Sequence, residues 1–208
     1  MDTQAPLSWL ALGDSYTIGE GVEAHGRWPM QLAHALREAG IPIEDPRVIA
    51  TTGWTTEELA AAMDAEEPLG EWDFVSLLIG VNDQYRGRAV DDYLGAFNHL
   101  LQRAIALAGG RADRVLVLSI PDWGVTHFAA ASGRDLRQIA DELDDYNAAA
   151  RELCAAHGVA FVDITGVSRE CGAEADMLAD DGLHPSAGMY TAWSQLALPA
   201  AKFLLHNS

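Results

Sequence analysis

The feature that most limits how this chain can fold is an alternation that runs its whole length. Short apolar runs, rich in branched side chains, occur at Leu7–Leu12, Val48–Thr51, Phe74–Ile79, Val115–Ile120 and Val159–Ile164. They are continuously apolar instead of alternating with polar residues, the pattern of strands covered on both faces in a parallel sheet. Helical spacing fills the gaps. Trp28, Leu32, Ala35, Leu36 and Ala39 form one apolar stripe, and Gly40 ends it. Glu57–Ala65 reads as a short helix with Thr55 and Thr56 available as caps. Val90–Leu107 repeats Tyr93, Phe97, Leu100, Leu101, Ala104 and Leu107 and stops at Gly109-Gly110. Leu136–His157 stops at Gly158, and a final helix over Ala187–Leu205 contains Pro199, which is expected to kink or divide it.

Strands separated by helices imply an α/β fold, a three-layer α/β/α sandwich with right-handed crossovers. The 208 residues show no internal repeat, linker or low-complexity segment, so residues 1–208 are expected to form a single domain. No apolar run reaches the roughly 18 residues of a membrane span. The first strand begins by Leu7, too early for an export signal, so the expected location is cytoplasmic, or periplasmic or secreted if a signal has been removed. Cys154 and Cys171 fit no CxxC or zinc spacing and suit a reducing compartment. The net charge of -18, with no cluster of Lys or Arg, argues against nucleic acid and disfavours polyanionic substrates. Its simplest meaning is a solvated surface.

Sheets of this kind bind ligands at the carboxyl ends of their strands. The polar clusters all fall there. Gly13-Asp14-Ser15 follows the first run, Gly53-Trp54 the second and Gly80-Val81-Asn82-Asp83 the third. Pro121-Asp122-Trp123 follows the fourth, and the segment after the fifth leads to Asp180-Asp181-Gly182-Leu183-His184-Pro185.

The loop after the first run, LALGDSYTIGEG, admits three readings. Gly19-Glu20-Gly21-Val22-Glu23-Ala24 formally matches GxGxxG/A, but it begins well after the strand and places Glu20 and Glu23 where a pyrophosphate needs neutral amides or positive charge. No GK[ST] is present, so a P-loop is excluded. A second reading is a polar turn. The third makes Ser15 a nucleophile, which requires a histidine base, an orienting carboxylate and oxyanion donors. GxSxG, the elbow of the α/β-hydrolase fold, is absent. Of seven histidines, His34 and His99 lie within helices, His157 ends one and His206 is near the terminus; His25 and His127 stay open. His184 stands apart because Asp181 precedes it by three residues, a spacing that puts a carboxylate within reach of the imidazole. Taken alone, that pair also reads as a loop hydrogen bond, and Asp180, Asp181 and His184 are potential metal ligands, although no further ligand set is evident. Asn82 offers a side-chain NH₂, and Gly53 a backbone N–H with no Cβ in the way, as oxyanion donors; each also reads as an ordinary turn residue.

Taken together, these motifs resemble the SGNH (GDSL-type) esterase/lipase superfamily. Gly13-Asp14-Ser15 is similar to its first block, Gly53 to the glycine of the second, Gly80-Val81-Asn82-Asp83 to the GxND of the third and Asp181-Gly182-Leu183-His184 to the DxxH of the fifth. The resemblance implies a flavodoxin-like five-stranded parallel sheet in the order 2-1-3-4-5. It also implies a Ser15–His184–Asp181 triad with an oxyanion hole made by Ser15 N–H, Gly53 N–H and the Asn82 side chain. Tyr16 departs from the pattern, giving GDSY instead of GDSL, and is expected to alter the packing behind Ser15.

The expected activity is hydrolysis of small or short-acyl carboxylic esters through an acyl-enzyme, with no cofactor and no metal. A thioesterase or lysophospholipase on the same site and a catalytically silent carbohydrate-binding module are the alternatives. Ile18, Trp54, Tyr85, Arg86, Trp123, His127 and Leu183 are the candidate substrate contacts, since each is expected in a loop at the active edge. For Arg86 the competing expectation is a salt bridge to Asp83 or Asp122.

Overall fold

The structure is a computed structural model that describes residues 5–206. Five strands, β1 (Trp9–Gly13), β2 (Arg47–Ala50), β3 (Phe74–Leu78), β4 (Val115–Leu118) and β5 (Ala160–Val162), form one sheet in the order β2-β1-β3-β4-β5. Every pairing is parallel. The order is the one the resemblance implied, and the sheet with its two helical layers is an α/β sandwich.

Burial varies with position in the sheet. Every residue of the three central strands is buried, as their continuous apolar runs require. The edge strands are wetter: β2 starts exposed at Arg47, and β5 is half-buried throughout. Polar groups inside the sheet are paired, as when Trp9 Nε1 donates to Ser76 Oγ at 3.0 Å between β1 and β3.

Among the described residues, nine α-helices connect and cover the strands. They are α1 (Ser15–Ile18), α2 (Trp28–Glu38), α3 (Thr56–Ala65), α4 (Val81–Tyr85), α5 (Val90–Leu107), α6 (His127–Ala131), α7 (Leu136–His157), α8 (Thr165–Cys171) and α9 (Ala187–His206). The long ones are those the periodicity predicts. Thr55 caps α3 through a reciprocal pair in which its hydroxyl accepts from the Glu58 amide and the Glu58 carboxylate accepts from the Thr55 amide. α9 runs unbroken through Pro199. The short helices α1, α4 and α6 stand where the sequence pattern predicts loops, because segments of four or five residues are too brief to show a 3.6-residue period. α1 and α4 start directly after β1 and β3 and so begin at the binding edge.

The two helical layers meet the sheet independently. α2, α8 and α9 pack together, and α3, α5 and α7 form the second group. Ser194 Oγ in α9 donates to the Trp28 carbonyl at 3.1 Å, and Thr191 Oγ1 donates to Gln31 Oε1 at 2.7 Å, tying α9 to α2 across most of the sequence.

One buried carboxylate joins α3 to α4. Asp83 is fully buried and accepts from the Thr56 amide at 3.0 Å and the Thr56 hydroxyl at 2.8 Å, with Arg88 Nη1 3.2 Å away. Burial raises its pKa, and the Thr56 and Arg88 donors oppose the rise. Removing it leaves the two Thr56 donors without their acceptor, while Arg88 keeps Glu57 at 2.9 Å. Asp83→Ala is expected to lower unfolding free energy by about 2 kcal/mol in urea titrations, the scale of leaving buried donors unsatisfied.

Candidate active site

β1 delivers the serine. The strand ends at Gly13, where a Cβ would overlap Thr17 Oγ1 and sit 2.6 Å from the Leu78 carbonyl of β3. Asp14 then caps α1, its Oδ1 accepting from the Tyr16 amide at 3.0 Å, and Ser15 is the first helical residue. Its backbone N–H is one of those that no intrahelical carbonyl takes. Tyr16 is buried behind it, edge-on both to the His184 imidazole, with ring centroids 6.1 Å apart, and to Trp193 at 5.8 Å. The departure from the GDSL pattern therefore sets an aromatic ring against both the histidine and Trp193.

His184 is held in a tight loop. Leu178 pairs with Pro185 across the loop, the Ala179 amide donates to the His184 carbonyl at 2.7 Å, and Gly182 takes φ +68° to make the turn. Asp181 fixes the ring. Its Oδ2 lies 2.5 Å from His184 Nδ1, while Oδ1 accepts from the Leu183 and His184 amides at 2.9 Å each. Partial burial raises the Asp181 pKa, but the imidazole and the two amides outweigh it, leaving the carboxyl below its ordinary value. A carboxylate on Nδ1 leaves Nε2 as the nitrogen available to accept a proton. Ser186 caps α9, accepting from the Gly188 amide at 3.1 Å, as its position after Pro185 suggests.

Gly53 and Asn82 approach from the next two strands. Gly53 comes after β2 with φ +88°, a conformation that demands glycine, and nothing lies within 4 Å of the place a Cβ would take. Asn82 stands in the first turn of α4. The glycine before that helix, Gly80, has φ +130°, and a Cβ there would come within 2.6 Å of Tyr93 and 2.8 Å of Ile120. Asn82 Nδ2 donates one hydrogen to the Trp54 carbonyl at 2.8 Å and carries a second.

Ser15, Gly53, Asn82 and His184 share one cleft of about 190 Å³. Among the described residues no hydrogen bond joins Ser15 Oγ to the imidazole, and such bonds often close only around substrate. A larger groove of about 670 Å³ between α2 and α9 contains none of the four. His25 lines that groove, so of the two loop histidines left open neither lines the serine cleft.

Three of the seven candidate substrate contacts line the cleft: Tyr85, Trp123 and Leu183. Tyr85 packs edge-on against Trp123 at 5.3 Å, and Trp123 Nε1 donates to Gln84 Oε1 at 2.9 Å. The other four are not among its lining residues. Ile18 lies in α1 beside a separate shallow depression, Trp54 packs against the core, and His127 opens α6. Arg86 is outside the cleft too, and its ion pair is with Glu58 at 3.2 Å instead of Asp83 or Asp122. Those two carboxylates are already taken: Asp83 by Arg88 and Asp122 by Arg169. Tyr16, Thr52, Val81 and Phe128 complete the lining and are not among the seven. Tyr16 and Val81 are chain neighbours of Ser15 and Asn82, and that adjacency is the only signal the sequence holds for them. Among the described residues no three His, Cys, Asp or Glu side chains group as a metal site, and no helix is long and apolar enough to cross a membrane.

The sequence pattern of the GDSL-like lipase/acylhydrolase family matches residues 11–192, and the chain belongs to that family of carboxylic ester hydrolases. Solved structures share the fold at low identity. TesA is similar at a TM-score of 0.73 and 20% identity, over 95% of this chain and 99% of that one. A lipase/acylhydrolase from Enterococcus faecalis gives 0.68 and 22%, over 96% and 97%. A Geobacillus acetyl-xylooligosaccharide esterase, in mutant form, gives 0.71 and 19%, over 97% and 96%. No curated protein matches the sequence.

Asp14 carries a pH signature of its own. It is wholly buried, and its Oδ2, like Thr17 Oγ1, has no hydrogen-bond partner among the described residues. Burial pushes its carboxyl from 3.8 up to about 8, with the Tyr16 amide opposing and the Asp83 charge adding. A raised folded-state pKa means that the stability due to this group is fully present below the unfolded value and is lost as pH rises through the folded one. Asp14→Asn keeps an oxygen for the Tyr16 amide and cannot ionise. In urea titrations the variant's stability relative to wild type is expected to increase from about pH 4 to pH 8.

Proposed function

We propose that this enzyme hydrolyses small, short-acyl carboxylic esters through an acyl-enzyme on Ser15. The observation that carries the reading is the shared cleft: a serine at a helix start and a histidine whose Nδ1 is held by a carboxylate, with Gly53 and Asn82 on the same wall.

In the first half-reaction, Ser15 Oγ attacks the ester carbonyl carbon while His184 Nε2 takes its proton. The negative charge that develops on the carbonyl oxygen is met by the N–H groups of Ser15 and Gly53 and by the Asn82 amide. Their value lies in being in place before the charge appears. Collapse of the tetrahedral species breaks the bond to the alkoxy oxygen, and the departing alcohol takes the proton from His184. Water then attacks the acyl-enzyme with His184 again as base, releasing the carboxylic acid and restoring Ser15. Asp181 stabilises the imidazolium at both stages and keeps the ring in the tautomer that presents Nε2.

Cleft size supports a short acyl group. At about 190 Å³ the space is smaller than the roughly 300–1,000 Å³ of sites that hold drug-sized ligands. Phe128, Leu183, Tyr85 and Trp123 make an apolar rim suited to a few methylenes.

Kinetics on p-nitrophenyl esters test both parts. Ser15→Ala is expected to abolish turnover with the fold intact by circular dichroism, and Asn82→Ala to lower kcat by roughly 10²–10³. Across acetyl, butyryl, octanoyl and palmitoyl esters, kcat/KM is expected to fall beyond butyryl. Wild-type turnover by Ser15→Ala would remove the mechanism; a maximum at palmitoyl would remove only the short-acyl preference.

A further inference from the structure

The segment that carries Gly53 has an unusual weakness. Its glycine is the freest residue type in the chain, and nothing lies within 4 Å of where its Cβ would be, so the residue has no side-chain anchor of its own. Besides the Trp54 ring, which packs against the core, and the Trp54 amide, which donates to the Thr51 carbonyl at 3.3 Å, side-chain hydrogen bonds from other elements hold the turn. On one flank the Thr52 hydroxyl donates to Glu20. On the other, two bonds arrive from α4 and the residue just after it: Asn82 Nδ2 to the Trp54 carbonyl at 2.8 Å, and Arg86 Nη2 to the Gly53 carbonyl at 2.7 Å.

Arg86 is itself anchored at both ends. Its backbone amide donates to the Asn82 carbonyl at 3.1 Å, so it moves with Asn82. Its guanidinium grips Glu58 at 3.2 and 3.3 Å. Glu58 in turn accepts from the Thr55 amide at 2.8 Å as part of the box that starts α3. One planar side chain therefore ties three elements together: the Gly53 turn, the start of α3 and the helix that bears Asn82. Arginine suits this task because its fork of donors serves a carbonyl and a carboxylate together, which one ammonium on a flexible stem does poorly.

We propose that Arg86 is a positioning residue for the oxyanion hole, holding the Gly53 carbonyl so that the Gly53 N–H stays aligned with the Asn82 amide. The inference rests on the oxyanion roles proposed for Gly53 and Asn82. Arg86 does not line the cleft, so its effect reaches the substrate through Gly53. Its side chain is about half exposed, at 53%, as is Glu58 at 45%, and an ion pair of that kind contributes little to folding stability. The expected signature is thus a loss of rate without a matching loss of stability or of ground-state binding.

Three substitutions and four readouts test it. Arg86→Met keeps the unbranched stem of the side chain and removes its donors; Arg86→Lys keeps one cationic donor group; Asn82→Ala removes an oxyanion donor directly. Each is assayed on p-nitrophenyl acetate, on the anionic ester mono-p-nitrophenyl succinate and against a short-chain aryl trifluoromethyl ketone, whose adduct with serine carries an oxyanion. For Arg86→Met, kcat is expected to fall about 10- to 100-fold on both esters, the scale of a misplaced catalytic group. KM should stay within about twofold, ketone inhibition should weaken by the same factor as kcat, and the melting temperature should remain near that of wild type. Arg86→Lys should recover part of the rate. Wild-type kcat in Arg86→Met would overturn the proposal, as would a rise in KM confined to the anionic ester, which would make Arg86 a substrate anchor. A fall in stability that accounts for the lost activity would overturn it as well. Wild-type kcat in Asn82→Ala would instead bring down the oxyanion reading beneath it.

Discussion

Pairing of β1 with β2 on one side and β3 on the other brings Gly13 level with Ala50 and with Leu78. The strands are parallel, so the chain leaves all three at the same edge and within a few residues of the same height. The segments leaving the three strands are then forced into one small space: Ser15 after β1, Gly53 after β2 and Asn82 after β3. The close approach at Gly13, where a side chain has no room against Thr17 and the Leu78 carbonyl, sets how near Ser15 sits to its neighbours. The loop that carries Asp181 and His184 arrives later in sequence and meets an edge already arranged.

Three carboxylates near that edge show how environment divides labour among identical groups. Asp181 is half-exposed and held by two amides and an imidazole, and its pKa is lowered. It is suited to staying charged beside an imidazolium. Asp14 and Asp83 are fully buried, and burial raises both. Asp83 still has Thr56 and Arg88 as partners and serves as a clip between helices. Among the described residues Asp14 has only the Tyr16 amide as a hydrogen-bond donor, so the first motif contains, beside its serine, a carboxyl inclined to remain neutral.

How much of this was legible in the sequence depended on length and direction. The strands and the long helices were legible because their apolar runs and stripes are long enough to count, whereas the strand order came from the resemblance alone; α9 was legible except that Pro199 does not divide it. The helices α1, α4 and α6 were not, being shorter than two turns. The members of the cleft wall were legible because the fold's rule about strand ends collects Gly13-Asp14-Ser15, Gly53, Asn82 and the His184 loop without any knowledge of side-chain direction. Direction is what the substrate contacts needed. Tyr85 and Arg86 are adjacent, yet Tyr85 lines the cleft and Arg86 turns back to Glu58 and Gly53. Trp54 and Trp123 both come after strands, yet of the two only Trp123 lines the cleft. Placement at an edge is set by topology; orientation is set by hydrogen bonds between residues far apart in sequence.

The central claim is that Ser15 forms the covalent intermediate. The most direct measurement is to treat the folded protein with a fluorophosphonate and map the adduct by peptide mass spectrometry. One stoichiometric adduct is expected, on the peptide containing Ser15, with its rate of formation reduced at least a hundredfold in His184→Ala, in keeping with the large losses caused by removal of a triad member. A stoichiometric adduct on any other residue, or ester turnover by protein that leaves Ser15 unmodified, would contradict it.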